Sequence, residues 1–119
     1  MTLVDTSVWI AHLRKADPEL QFLLHAGEVV CHPFVVEELA CGNLANRLEI
    51  LRLLEDLPQA AVAEHSEILG FIEAYRLMGK GIGLVDVHLL SSSLLSGTSI
   101  WTRDKRLREV AVELDISCD

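Results

Sequence analysis

The chain has 119 residues, a formal net charge of −8, and a composition that is half hydrophobic but only 5% aromatic. That length suits one compact domain burying roughly two-thirds of its unfolded surface, and the aliphatic bias argues for a packed α/β core and against disorder. The acidic balance also counts at first against a nucleic-acid partner, because phosphates are met by Lys and Arg.

Along the chain, LVD reads as a short first strand and TSVWIAHLR as a first helix. In DPELQFLLHAG, Asp17 caps, Pro18 takes the first helical position and Gly27 ends the turn. EVVCH reads as a buried strand, and PFVVEELACG as a helix stopped by Gly42. NLANRLEILRLLEDL follows as an amphipathic helix with Leu44, Leu48, Leu51 and Leu54 at helical spacing, closed by Pro58. QAAVA is a weak strand, HSEILGFIEAYRLMGK a helix, GIG a loop and LVDVHLLSSSLLSG another helix. TSIWT is then a strand and DKRLREVAVEL a final helix. No linker, repeat or low-complexity segment interrupts this alternation. It predicts a single domain over residues 1–119 with the three-layer α/β/α arrangement, built on a central, mainly parallel sheet of four or five short strands. In such sheets ligands bind at the carboxyl ends of the strands.

The apolar run at the start is too short for a signal peptide and lacks a basic leader, and no run approaches a membrane span, so a cytoplasmic protein is expected. Cys31, Cys41 and Cys118 are odd in number with no CxxC spacing, which fits reduced thiols. A zinc site on Cys31, His32 and Cys41 lacks the usual motif, and the cysteines read better as small hydrophobes.

Asp5 is the first residue that asks for a chemical explanation, because it interrupts an apolar strand. A buried carboxylate costs several kcal/mol unless it caps, pairs or holds a cation. Asp86 lies in the first turn of its helix, and Asp104 just past the strand TSIWT. Right-handed crossovers bring such positions to one edge of a parallel sheet. Each acid alone could simply cap a helix or favour its dipole, at about 1 kcal/mol or less. Together they form a cluster that repels itself unless a cation occupies it, and hard oxygen donors favour Mg²⁺ or Mn²⁺.

MTLVDTSVWI, EELACG, GIGLVDVHLL and IWTRDKRL resemble, in order and across nearly the whole chain, the four acidic motifs of the PIN domain, most closely those of VapC-type toxin ribonucleases. The resemblance implies that Asp5, Glu38, Asp86 and Asp104 form a catalytic acidic quartet. The E-L-x-x-G form selects Glu38, since helical periodicity cannot choose between Glu37 and Glu38. Asp5 and Asp86 are the foremost metal ligands it implies and Asp104 a third, with Glu38 and Asp104 also completing the charge and orienting water. Thr6, Ser7 and Thr102 supply hydroxyls that hydrogen-bond the carboxylates or the water around them. The implied activity is Mg²⁺- or Mn²⁺-dependent endoribonuclease cleavage, with water attacking phosphorus in line and no side-chain nucleophile.

The net charge is then compatible with RNA if the cation and a rim of Arg14, Lys15, Lys80, Arg103, Lys105 and Arg106 meet the phosphates. The resemblance further implies a small antitoxin whose basic tail enters the acidic cleft while its apolar helices dock on exposed Leu-rich surface, and a homodimer. NLANRLEILRLLEDL carries more apolar surface than one narrow face needs.

Other features are discounted. His88 sits two residues past Asp86, about 200° around a helix, and reads as a core or interface histidine. Ser91, Ser92 and Ser93 look like small packing residues, because no base or oxyanion site announces a nucleophile. GKGIG around Lys80 lacks the order of a P-loop and reads as a rim loop. Two rival classes fit the residues less well. A receiver-like Mg²⁺-binding domain requires two adjacent acids after the first strand and a phospho-accepting Asp after a central one, and neither is present. A non-catalytic module would have a broken quartet, and all four acids are here.

Overall fold

A computed structural model describes residues 1–118. Within them, three parallel strands and seven helices follow in the order β1 (Thr2–Val4), α1 (Thr6–Arg14), α2 (Pro18–His25), β2 (Val29–Val30), α3 (Pro33–Ala40), α4 (Arg47–Asp56), α5 (His65–Tyr75), α6 (Leu84–Ser96), β3 (Ser99–Trp101) and α7 (Lys105–Glu113). β1 is the central strand of the sheet order β2-β1-β3, pairing Leu3 with Val30 on one side and with Ile100 on the other. A strand covered on both faces has no place for alternating polarity, and Leu3 and Val4 are accordingly fully buried. Buried residues from the strands and from all seven helices join in one hydrophobic cluster. No helix among the described residues is long and apolar enough to cross a membrane.

The sheet has three strands, not the four or five expected. QAAVA does not form a strand: the chain there makes a single parallel bridge, Cys31 with Gln59, through Cys31 N–H to Pro58 O and Ala60 N–H to Cys31 O. Its alanines have little side chain to pack on a pleated surface, and Val62 is exposed. On the opposite edge a second isolated bridge joins Ile100 to Ser117. EVVCH likewise shortens to Val29–Val30, because His32 leaves the ladder to cap α3.

The helices follow the sequence more closely. α1 covers TSVWIAHLR, and α2 has Asp17 as its cap with Pro18 in its first turn. α4 starts at Arg47 rather than Asn43, because Asn46 takes a left-handed conformation (φ 53°) and Arg47 turns back to the carbonyls of Ala40 and Gly42. α5 ends at Tyr75, five residues before Lys80. Arg76 is left-handed there (φ 51°), and Leu77 turns into the core with its N–H on Ile72 O.

α6 is the most buried helix, enclosed from Val87 through Ser93. Its serines are small enough to let it lie close against neighbouring elements. α7 is amphipathic, with Leu107, Val110 and Ala111 inside and Lys105, Arg106 and Glu109 outside. Since the strands are parallel, the residues that follow them, Asp5, His32 and Thr102, all emerge at the same edge of the sheet.

Candidate active site

The backbone delivers Asp5 to the sheet edge as an extension of β1, its N–H bonded to Trp101 O at 2.9 Å. It is also the N-cap of α1, so the helix-capping role is real. Capping does not exhaust it. Oδ2 accepts the Ser7 hydroxyl at 2.6 Å, the Thr102 hydroxyl at 2.7 Å and, more weakly, the Ser7 N–H at 3.4 Å. Thr102 Oγ1 also accepts the Asp104 N–H at 3.0 Å, and Ser7 Oγ accepts the Arg103 N–H at 2.9 Å. The turn after β3 is thereby tied to the turn after β1.

The other three acids are fixed by equally local means. Asp104 caps α7 through Oδ1, which accepts the Leu107 N–H at 3.0 Å. Asp86 sits in the first turn of α6, and its Oδ2 accepts the Gly83 N–H at 3.1 Å. Glu38 projects from α3, where its Oε1 takes the Thr6 hydroxyl at 2.6 Å. In each of the four carboxylates the hydrogen bonds fall on one oxygen, and among the described residues the other oxygen takes none.

Electrostatics shows that these four groups share one space. The Asp86 carboxyl is held above its ordinary value, first by burial and then, against the lowering effect of the Gly83 N–H, by the negative charges of Asp5, Asp104 and Glu38. Asp86 therefore feels the charges of acids from three other segments. Among the described residues, no three acidic, histidine or cysteine side chains lie close enough as they stand to grip an ion together. The cluster is gathered but open.

The basic residues named from the sequence divide. Arg14 shares with Glu38, Ile10 and Leu13 the lining of a cavity of about 280 Å³. Lys80 is paired with Glu113 of α7 at 3.3 Å. Arg106 lies across Gly81. Arg103, Lys105 and Lys15 are exposed; Lys15 also closes α1 through its backbone N–H.

One arrangement was not legible in the sequence. His32 is fully buried at the start of α3, with Nδ1 accepting the Phe34 N–H at 3.0 Å and Nε2 2.9 Å from Ser92 Oγ. An accepting Nδ1 assigns the proton to Nε2, so His32 donates to Ser92 and joins the start of α3 to the middle of α6. Histidine directly before a proline at a helix start was the only available signal. Ser92 is as buried as His32, so the pair is a brace and not a nucleophile with its base. With both ring nitrogens engaged and Cys41 at the far end of α3, no zinc site forms here. His88 is a core histidine as expected, its ring edge-on to Phe34 at 4.5 Å.

The sequence pattern of the PIN domain matches residues 2–113. The chain is also similar to Ribonuclease VapC32 of Mycobacterium tuberculosis, in strains CDC 1551 and H37Rv. Each of these relatives is 48% identical over 118 residues, which cover 98% of this chain and 95% of the relative.

Proposed function

Because the chain belongs to the PIN-domain family, we propose that it is a VapC-type endoribonuclease, the toxin of a toxin–antitoxin pair, and that Asp5, Glu38, Asp86 and Asp104 are its catalytic acids. The observation that carries this reading is the gathering of the four carboxylates, with Asp5 and Asp104 tied through Thr102, Glu38 held by Thr6 beside Asp5, and the charges of all three reaching Asp86. A protein gains nothing in stability from gathering like charges, so the cluster argues for an occupant of opposite charge.

The donor set fits Mg²⁺ or Mn²⁺: it is all hard oxygen, and each carboxylate has one oxygen outside the local hydrogen bonds. Asp5, Asp86 and Asp104 would hold the ion. When bound, it neutralises the cluster, orients a phosphate oxygen and makes an attacking water more acidic.

The rest is the work of the chain. Ser7 and Thr102 fix the Asp5 carboxylate so that it does not have to be ordered when substrate arrives. Thr6 holds Glu38 at the rim, where its other oxygen can orient water and take a proton. Thr102 aligns Asp104 with Asp5 through the Asp104 N–H. Substrate strands meet the exposed cations Arg14, Lys15, Arg103, Lys105 and Arg106, and Lys80 once its bond to Glu113 opens.

The antitoxin partner has an apolar landing place. Trp9, Leu13, Leu24, Ile50, Leu53 and Leu57 line a groove among α1, α2 and α4, and the buried Trp9 Nε1–H has no acceptor among the described residues. A basic tail would continue from there toward the acids, past Glu38. Phe71, Tyr75, Leu94 and Leu95 line a separate apolar hollow between α5 and α6 that suits a second copy in a homodimer of three-layer domains acting in the cytoplasm.

The decisive experiment incubates total cellular RNA with the purified, antitoxin-free protein, with Mg²⁺ or Mn²⁺, with EDTA, and with Asp5→Asn beside the wild type. Cation-dependent cutting that Asp5→Asn abolishes is the expected result. Cutting that persists in EDTA or in the variant would overturn the proposal.

A further inference from the structure

The geometry points to Arg106 as a phosphate clamp of the active site, held in place by Gly81 to grip a backbone phosphodiester of the substrate strand beside the acids; this rests on the ribonuclease reading. A Cβ on Gly81 would lie 2.2 Å from Arg106 Nη1, 2.7 Å from Cδ and 3.1 Å from Cζ. The side chain therefore runs in van der Waals contact over the bare backbone of the loop, which only glycine permits. The Gly81 backbone is left-handed as well (φ 78°).

That loop leads within two residues to Gly83, whose N–H fixes Asp86, while Arg106 itself stands two residues after Asp104. The guanidinium thus spans the segments that present two of the four acids. It takes no hydrogen bond and no ion pair among the described residues, although the chain carries eight more acidic than basic side chains, 18 against 10. Neighbouring Lys80 differs in being paired with Glu113. A flexible arginine loses entropy when it is ordered, and here one side of the exposed side chain already rests on Gly81 with its donors unengaged. A planar fork with free donors can meet an incoming phosphate with two parallel N–H···O bonds.

The glycines of this loop supply the test. Gly79 is also left-handed (φ 71°) but has nothing within 4 Å of a Cβ. Gly79→Ala therefore imposes the same kind of backbone strain as Gly81→Ala without displacing Arg106. Retention of end-labelled total small cellular RNA on filters is measured across a series of salt concentrations for the wild type, Arg106→Gln, Arg106→Lys, Gly81→Ala and Gly79→Ala. Arg106→Gln is expected to weaken retention about tenfold or more and to flatten the salt dependence by roughly 0.7 in log–log slope, one phosphate contact on a single strand. Arg106→Lys keeps that slope but loses affinity, Gly81→Ala falls toward Arg106→Gln, and Gly79→Ala follows the wild type. Wild-type protein that binds and cuts RNA while Arg106→Gln matches it in affinity and slope would overturn the clamp alone. So would equal losses in the two glycine variants. Wild-type protein that neither retains nor cuts RNA would overturn the ribonuclease reading, and the clamp with it.

Discussion

Thr102 donates its hydroxyl to Asp5 Oδ2 at 2.7 Å, joining residues 97 positions apart in the chain, and accepts the Asp104 N–H with the same oxygen. A single hydroxyl thus aligns two of the acids. Thr102→Val keeps the shape, removes the donor to Asp5 and leaves the Asp104 N–H unpaired. We predict a loss of Mn²⁺ affinity of about tenfold to a hundredfold, the usual cost of removing a support for a ligand, with a stability cost of about 1–2 kcal/mol. Calorimetric Mn²⁺ titration checks this; unchanged affinity would remove Thr102 from the site.

Asp86→Asn should make the cation-free protein more stable while eliminating ion binding. Asn can still accept the Gly83 N–H, and it removes the charge that burial first, and then the neighbouring acids, penalise at Asp86. The expected gain is up to about 1 kcal/mol, in line with the common trade between stability and function at active sites. Thermal melts in EDTA decide it, and a lower melting temperature for the variant would refute the prediction. The direction follows from the sign: a carboxyl raised in the fold is penalised when ionised, so its charge weakens the native state at neutral pH.

Acid should destabilise the fold through His32. Burial, and secondarily the charge of His88, push its ring down to about 4, against an ordinary value of 6.5. Between those limits the unfolded chain binds a proton that the native one refuses, so stability is fully present above about 6.5, declines as pH falls and levels off below about 4. The effect is at most about 3 kcal/mol. His88 is also lowered by burial and adds in the same direction. His32→Asn keeps a helix-capping oxygen while removing the ring that titrates, so its urea midpoint should depend less on pH than that of the wild type. Parallel pH profiles for the two proteins would contradict this.

Leu53→Glu should abolish antitoxin binding while cleavage of RNA stays intact. Leu53 is 57% exposed on the groove formed by α1, α2 and α4, away from all four acids. Co-purification of the two proteins and the RNA assay give separate readouts. Loss of cleavage, or an undiminished complex, would each count against the proposed landing place.

The helices were largely legible in the sequence because their ends carry local chemistry: Asp17 and Pro18 at α2, Asp104 at α7, Gly97 in its left-handed conformation after α6. The three strands were legible too, at LVD, EVVCH and TSIWT, but their bounds and number were not, since a strand as short as Val29–Val30 is delimited by its pairing with Thr2 and Leu3 far away, and QAAVA has the apolar run of a strand without the packing. The four acids could be named because their motifs come in order along the chain. Their supports were partly visible as hydroxyls next to them. The His32–Ser92 brace was invisible, since its partners are 60 residues apart and neither has a distinctive neighbour except Pro33.

The central place of β1 has a bearing on how the molecule is made. A growing polypeptide releases β1 long before β3, so Leu3 cannot pair with Ile100 until β3 has been synthesised. Until then Asp5 is without Thr102 and Asp104 is absent. A chain that stops before β3 lacks both the strand that pairs with β1 and the hydroxyl that fixes Asp5.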